Sequence, residues 1–193
     1  MHGLVNRSIQ SFLRETYGAE TWAAVAAQVG VGAEGFEALL SYDDALTDAV
    51  IDAASAVLDK PREALLEDVG IYLVGLEPLR RLLRFGGVDY VEFLHSLDEL
   101  PERVHLAVPD LEMPDLALIA SGPGRYVLLC RGAHPGFGPV FAGILGAMAD
   151  DYGALVLIEA GGPDIDPDTV YVELLEAQFA SGRRFDLARP ELP

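Results

Sequence analysis

The stretch VDYVEFLHSLDELPERVHLAVP, residues 88–109, decides the fold. Apolar residues at Val88, Val91, Phe93, Leu94 and Leu97, then Leu100, Val104 and Ala107, keep helical spacing apart from a break around residues 96–98. Two helical pieces with a joint are expected. Asp98 is placed to accept from the N–H groups left free where the second piece begins, and Pro101 falls in its first turn, where a missing N–H costs little. Pro109 ends the segment. His105 follows Pro101 by one helical turn, so the two are expected on one face, beside Leu97 and Leu100.

Upstream, the helical period runs back to the N-terminus. Leu4, Val5, Ile9, Phe12 and Leu13 predict a first helix closed by Gly18, and Thr21-Trp22 opens an alanine-rich second one that stops at residues 29–32. A short helix is expected to begin over 36–40 and stop near Tyr42. Asp43 and Asp44 precede an amphipathic helix reaching Lys60, Pro61 starts the next, and a last one runs over 76–85 to the punctuating Gly86-Gly87. Downstream of Pro109 the pattern changes. Residues 115–121 and 125–131 read as strands flanking the turn Gly122-Pro123-Gly124, residues 139–152 as a small-residue helix, and 154–159 and 169–175 as two further strands. The expected class is α+β: a helical subdomain over 1–60, a helix-and-sheet subdomain over 61–181 carrying a four-stranded antiparallel sheet, and a surface tail over 182–193.

Thirty-one acidic against 13 basic residues give a formal net charge of −18. Such a surface repels a phosphate backbone, so nucleic acid is excluded as a partner. No uncharged run approaches the roughly 20 residues that cross a bilayer, and the first ten residues lack the basic head and apolar core of a signal peptide. A cytoplasmic protein with no membrane partner is expected. The single cysteine, Cys130, rules out an internal disulfide framework and a multi-cysteine metal site. Arg80, Arg81 and Arg84 form either a solvated helix face or a local cationic site.

Chemical motifs are sparse. Gly30, Gly32 and Gly35 spell G-x-G-x-x-G, but an alanine-rich helical run precedes them where a nucleotide site needs a strand, so they read as a helix stop and loop. His95, Ser96 and Asp98 are too close along one helix to converge as a triad. With no defensible acid–base pair or nucleophile, the chain is not expected to be an enzyme.

Several segments together resemble the H-NOX (haem nitric oxide/oxygen binding) family: MHGLVNRSIQSFLRETYGAETW, YDDALTDAVIDAASAVLDKPREALLEDVGIYLV, LLRFGGVDYVEFLHSLDEL, PDLEMPDL and YVLLCRGAHPGFGPVFAGILGAMADDYG. The resemblance implies a helical N-terminal subdomain, a C-terminal subdomain with a four-stranded antiparallel sheet, haem b as cofactor, a diatomic gas as ligand and a cyclase or kinase as signalling partner. The family's proximal histidine stands in L-D-x-L-H; here that place reads Leu97-Asp98-Glu99-Leu100-Pro101, and proline offers iron no donor atom. The family's Y-x-S-x-R motif, which holds the haem propionates, matches Val127-Leu128-Leu129-Cys130-Arg131, keeping only Arg131. Family placement puts Leu4, Val5, Leu73, Leu97, Val140 and Ile144 around the pocket. No distal tyrosine falls there, which implies nitric oxide or carbon monoxide rather than oxygen. His105, about 6 Å along the helix from Pro101, is the alternative iron ligand, with His134 and a Cys130 thiolate further options. The expectation is therefore a sensory domain whose haem and gas binding is weak, non-standard or lost; the alternative is a haem-free module that binds a protein or an apolar small molecule.

Overall fold

The computed structural model describes residues 1–132, 134–161, 166 and 168–176. The tail expected over 182–193 lies outside them, as does most of the turn between the last two strands. Among the described residues, eight α-helices come in the order α1 Gly3–Tyr17, α2 Ala19–Val29, α3 Asp44–Leu58, α4 Arg62–Gly75, α5 Glu77–Arg84, α6 Tyr90–His95, α7 Leu100–Ala107 and α8 Phe137–Tyr152. The strands are β1 Asp115–Gly122, β2 Arg125–Arg131, β3 Leu155–Ala160 and β4 Thr169–Glu176. All neighbours pair antiparallel in the order β1-β2-β4-β3. The α+β architecture with a four-stranded antiparallel sheet is that expected from the sequence.

Local chemistry sets the helix ends. Asp43 accepts from the Ala45 N–H at 2.9 Å to start α3, and Gly30, at φ +71°, turns the chain out of α2. Helix α8 begins without a cap of its own, and Asp168, far along the chain, supplies one: its carboxylate accepts from the Gly136 and Gly138 N–H groups, both at 2.9 Å.

Two expectations fail locally. Residues 36–40 form turns instead of a helix, since so short a segment does not offset its own nucleation cost. The loop is pinned by side chains: Gln10 accepts from Phe36 N–H at 2.9 Å and donates to the Glu34 carbonyl at 3.1 Å, and the Trp22 indole N–H donates to Ala33. Asp98 does not cap α7. A 3-10 turn, Leu97–Glu99, runs straight into α7 with no side-chain cap bond, and Pro101 does occupy the first turn.

The apolar side chains gather in two clusters. One, built around Phe12, Leu13, Trp22, Val50 and Leu65, joins α1 to α4; the other, around Tyr90, Phe93, Leu97, Leu128 and Leu145, joins α5–α8 to the inner face of the sheet. Helices α4 and α8 form the seam. A Cβ on Gly70 would collide with the Val140 carbonyl, and one on Gly143 with the Glu67 carbonyl, so the two backbones are in direct contact.

The arginines of α5 are held within the fold. Arg80 makes a bidentate pair with Asp151 at 2.6 Å, Arg81 pairs with Glu77 at 2.8 Å, and the Arg84 guanidinium lies 4.5 Å from the centre of the Tyr152 ring.

Candidate functional site

A cavity of about 250 Å³ lies where the two clusters meet. Helix α1 contributes Leu4, Val5 and Ile9, and α4 contributes Leu66, Val69 and Leu73. Opposite them stand Leu100 and Val104 of α7 and Val140, Phe141 and Ile144 of α8. Each of these helices turns its apolar stripe inward, and where four stripes converge without interdigitating, space is left. The two hydroxyl groups in the lining are already committed as donors, Ser8 to the Leu4 carbonyl at 2.9 Å and Thr47 to the Asn6 side-chain oxygen at 2.7 Å.

The charged groups of the lining are Met1, Asp44, Asp48, Arg62, Glu112 and His134, and most are paired. The N-terminal ammonium of Met1 pairs with Asp44 and donates to the Tyr42 carbonyl at 2.7 Å. Arg62 bridges Asp48 and Asp52. His134 places Nδ1 3.5 Å from Asp44 and Nε2 4.0 Å from Glu112. The hydrogen bond from the N-terminal ammonium, with the field of His134 added, holds the Asp44 carboxyl below the usual carboxylate range against a smaller desolvation effect.

Of the residues singled out in the sequence, Leu4, Val5, Leu73, Val140 and Ile144 line the cavity. Leu97 is fully buried in the sheet-side cluster, outside the lining. Pro101, His105 and Arg131 line an adjoining open groove on the outside of α7, and Leu111, Glu112, Met113, His134 and Phe137 border both it and the cavity. Pro101 and His105 share a face as expected, but it is the outward one. Leu100 and Val104, also one turn apart, take the inward face because they are the apolar pair. Cys130 and Arg131 point to opposite sides of β2, the thiol inward and 2% exposed, the guanidinium exposed. Burial, with Asp168 and Asp166 nearby, pushes the Cys130 thiol up to about 12.

Sequence reasoning missed several wall residues, among them Ile51, Met113 and Phe141. It also passed over Gly70 and Gly143, whose signal was there to read: a glycine inside a helical pattern marks a close approach.

These features define a class: a helical lobe and a helix-backed antiparallel sheet with an apolar cavity between them. The family model described as Haem-NO-binding (HNOB) matches residues 2–160. The chain belongs to this haem-NO-binding, or H-NOX, domain family. Among curated proteins it resembles the soluble guanylate cyclase gcy-31 of Caenorhabditis elegans, 29% identical over 118 residues, which are 59% of this chain and 17% of that one. The soluble guanylate cyclase 89Db of Drosophila melanogaster is 23% identical over 155 residues, 79% of this chain and 23% of the relative. The chain thus spans about a fifth of the length of these relatives. Among solved structures, an Fe(II) unliganded H-NOX protein mutant from K. algicida superposes with a TM-score of 0.77 at 15% identity, covering 93% of this chain and 99% of that one. A Cs H-NOX mutant carrying the unnatural amino acid 4-cyano-L-phenylalanine gives 0.74 at 16% identity, covering 91% and 97%. Identity this low carries the fold alone. No described helix is long and apolar enough to cross a membrane.

Proposed function

We propose that this H-NOX domain is a sensory module that has given up histidine-ligated haem and reads instead the filling of its apolar pocket. One observation carries the reading: α7, the helix that bears the family's ligand position, turns Leu100 and Val104 to the cavity, while Pro101 and His105 face the outer groove. The residues present do not fit a haem ligated from α7. Proline supplies no lone pair at that position, and the exposed His105 is on the wrong side of the helix. A Cys130 thiol with its pKa near 12 and its side chain in the core is no thiolate donor. Arg131, the remnant of the propionate motif, lines the outer groove and not the cavity. Haem and the nitric oxide or carbon monoxide it would take are therefore bound weakly or not at all. The output is a change in the exposed side of α7, where His105 and Leu106 stand, read by a signalling partner of the kind to which the guanylate cyclase relatives point.

A second reading has its own observation. His134 is the imidazole that borders the cavity, so haem held there by non-standard ligation would depend on it. Haemin titration of the wild type, His134→Ala and His105→Ala, with excess removed by gel filtration, tests both. The expected result is no retained Soret band in any of the three. A sharp band retained by the wild type refutes the haem-free reading; its loss in His134→Ala alone establishes the second.

A further inference from the structure

Building on the haem-free reading above, we infer that the cavity is a binding site for a small uncharged apolar molecule of about ten non-hydrogen atoms. Size comes from the volume. An apolar protein cavity of roughly 150 Å³ accepts benzene, with six carbon atoms, so about 250 Å³ scales to roughly ten. A compact bicyclic hydrocarbon or a small terpene-like molecule matches that space.

Charge selection comes from the pairing at the mouth. Most of the charged groups that border the cavity are already paired: Asp44 takes the N-terminal ammonium and Asp48 takes Arg62. A ligand carboxylate would have to displace Asp44 or Asp48 from its cation, and a ligand ammonium would have to displace Met1 or Arg62 from its carboxylate. Either exchange leaves one protein charge unpaired at a partly desolvated site. A neutral molecule disturbs none of these pairs. The interior adds no directed donor, since the Ser8 and Thr47 hydroxyl groups donate elsewhere. Selection therefore rests on shape and apolarity.

Three probes separate the elements of the inference: naphthalene as the neutral bicycle, 1-naphthoate as its anionic counterpart, and palmitate as an anion too long for the space. Melting curves and saturation-transfer NMR on the wild type are compared with Val69→Phe and Leu73→Trp, which fill the cavity from α4. Naphthalene at ten times its Kd is expected to raise the melting temperature by about 3–5 °C. 1-Naphthoate is expected to bind at least tenfold more weakly and palmitate not at all. At least one filled variant, folded by circular dichroism, is expected to lose naphthalene binding. No shift and no saturation transfer with naphthalene in the folded wild type overturns the inference. So does equal binding of 1-naphthoate, which would mean an uncompensated cation at the mouth, or undiminished binding in both filled variants, which would move the site elsewhere. A haemin titration of the same preparation keeps the two readings apart. A retained Soret band refutes the haem-free reading, whereas no band together with no naphthalene response refutes only the ligand class.

Discussion

Replacing Gly70 by alanine and, separately, Gly75 by alanine puts one substitution at two points of α4 with opposite expected signs. Within a helix, alanine is favoured over glycine by about 1 kcal/mol, because glycine gives up more backbone freedom on folding. At Gly75 nothing lies within 4 Å of the new Cβ, so only that gain acts, reduced because the residue is the last of the helix. At Gly70 the Cβ falls inside contact distance of the Val140 carbonyl and 3.0 Å from the Ile144 nitrogen. Both obstacles are backbone, so α8 as a whole must move away. Overpacking of this kind costs typically 1–3 kcal/mol where side chains can yield, and backbone yields less. Subtracting the propensity gain leaves a net loss of about 2 kcal/mol. For a domain of this size that lowers the melting temperature by about 4–8 °C, whereas Gly75→Ala raises it by about 1–3 °C. Thermal melts followed at 222 nm, with urea titrations to check that the slope is unchanged, read both effects. Gly70→Ala melting at or above the wild type would refute the claim that the α4–α8 seam is a backbone contact.

Cys130 is expected to resist alkylation in the native protein: at pH 8 a thiol with a pKa near 12 is about one part in ten thousand thiolate, and its sulfur is buried, so iodoacetamide labelling should follow global unfolding. Fast labelling under native conditions would contradict the packing of β2. Gln10→Leu removes the acceptor for the Phe36 N–H and the donor to Glu34; a loss of about 1–3 kcal/mol in urea is expected, with faster hydrogen exchange confined to residues 30–42. Asp168→Ala removes the one carboxylate oxygen that accepts from both the Gly136 and Gly138 N–H groups and should cost about 1–2 kcal/mol, while Asp168→Asn retains most of the cap. Asp44 has a depressed pKa in the folded state, so its pairing is fully present above the unfolded carboxylate value and is lost as pH falls through the lower folded one. Asp44→Asn should therefore flatten the acid limb of the stability profile.

The fold was legible because its elements follow period and punctuation. The residues 125–131 read as a strand are the observed β2, and the change of pattern after Pro109 marks the passage from helices to sheet. What failed was decided by long-range contacts. Four apolar residues among the five after Gly35 suggested a helix, but Gln10, 26 positions from Phe36, pins the segment as a loop through the Phe36 N–H and the Glu34 carbonyl. Around α7 the apolar pair Leu100–Val104 and the pair Pro101–His105 have the same spacing; apolarity decides which pair turns inward, but that the inward pair borders a cavity follows only from the neighbours α1, α4 and α8. Five wall residues came from family placement. Ile51, Met113 and Phe141 approach from segments far apart in the chain and carry no local mark of a cavity.

The geometry of α7 also bounds how strongly the pocket can signal. Arg103, half-buried on a flank of α7 away from Pro101 and His105, ties this helix to its surroundings, donating to the Ser96 carbonyl at 2.7 Å and the Leu82 carbonyl at 3.5 Å, while Leu100 and Val104 face the cavity. Without a bond from α7 to the bound molecule, filling the pocket acts on the helix only through those two side chains. If the ligand buries roughly 50 Å² more of them in one position of α7 than in another, the difference is about 1 kcal/mol. A ligand shifts a conformational equilibrium only by its differential affinity, so that energy changes the population ratio by about fivefold. Such a sensor grades its output with occupancy and does not snap between states. Substituting Leu100 or Val104 should accordingly change the coupling to a partner more than it changes ligand affinity, since α1, α4 and α8 supply most of the walls.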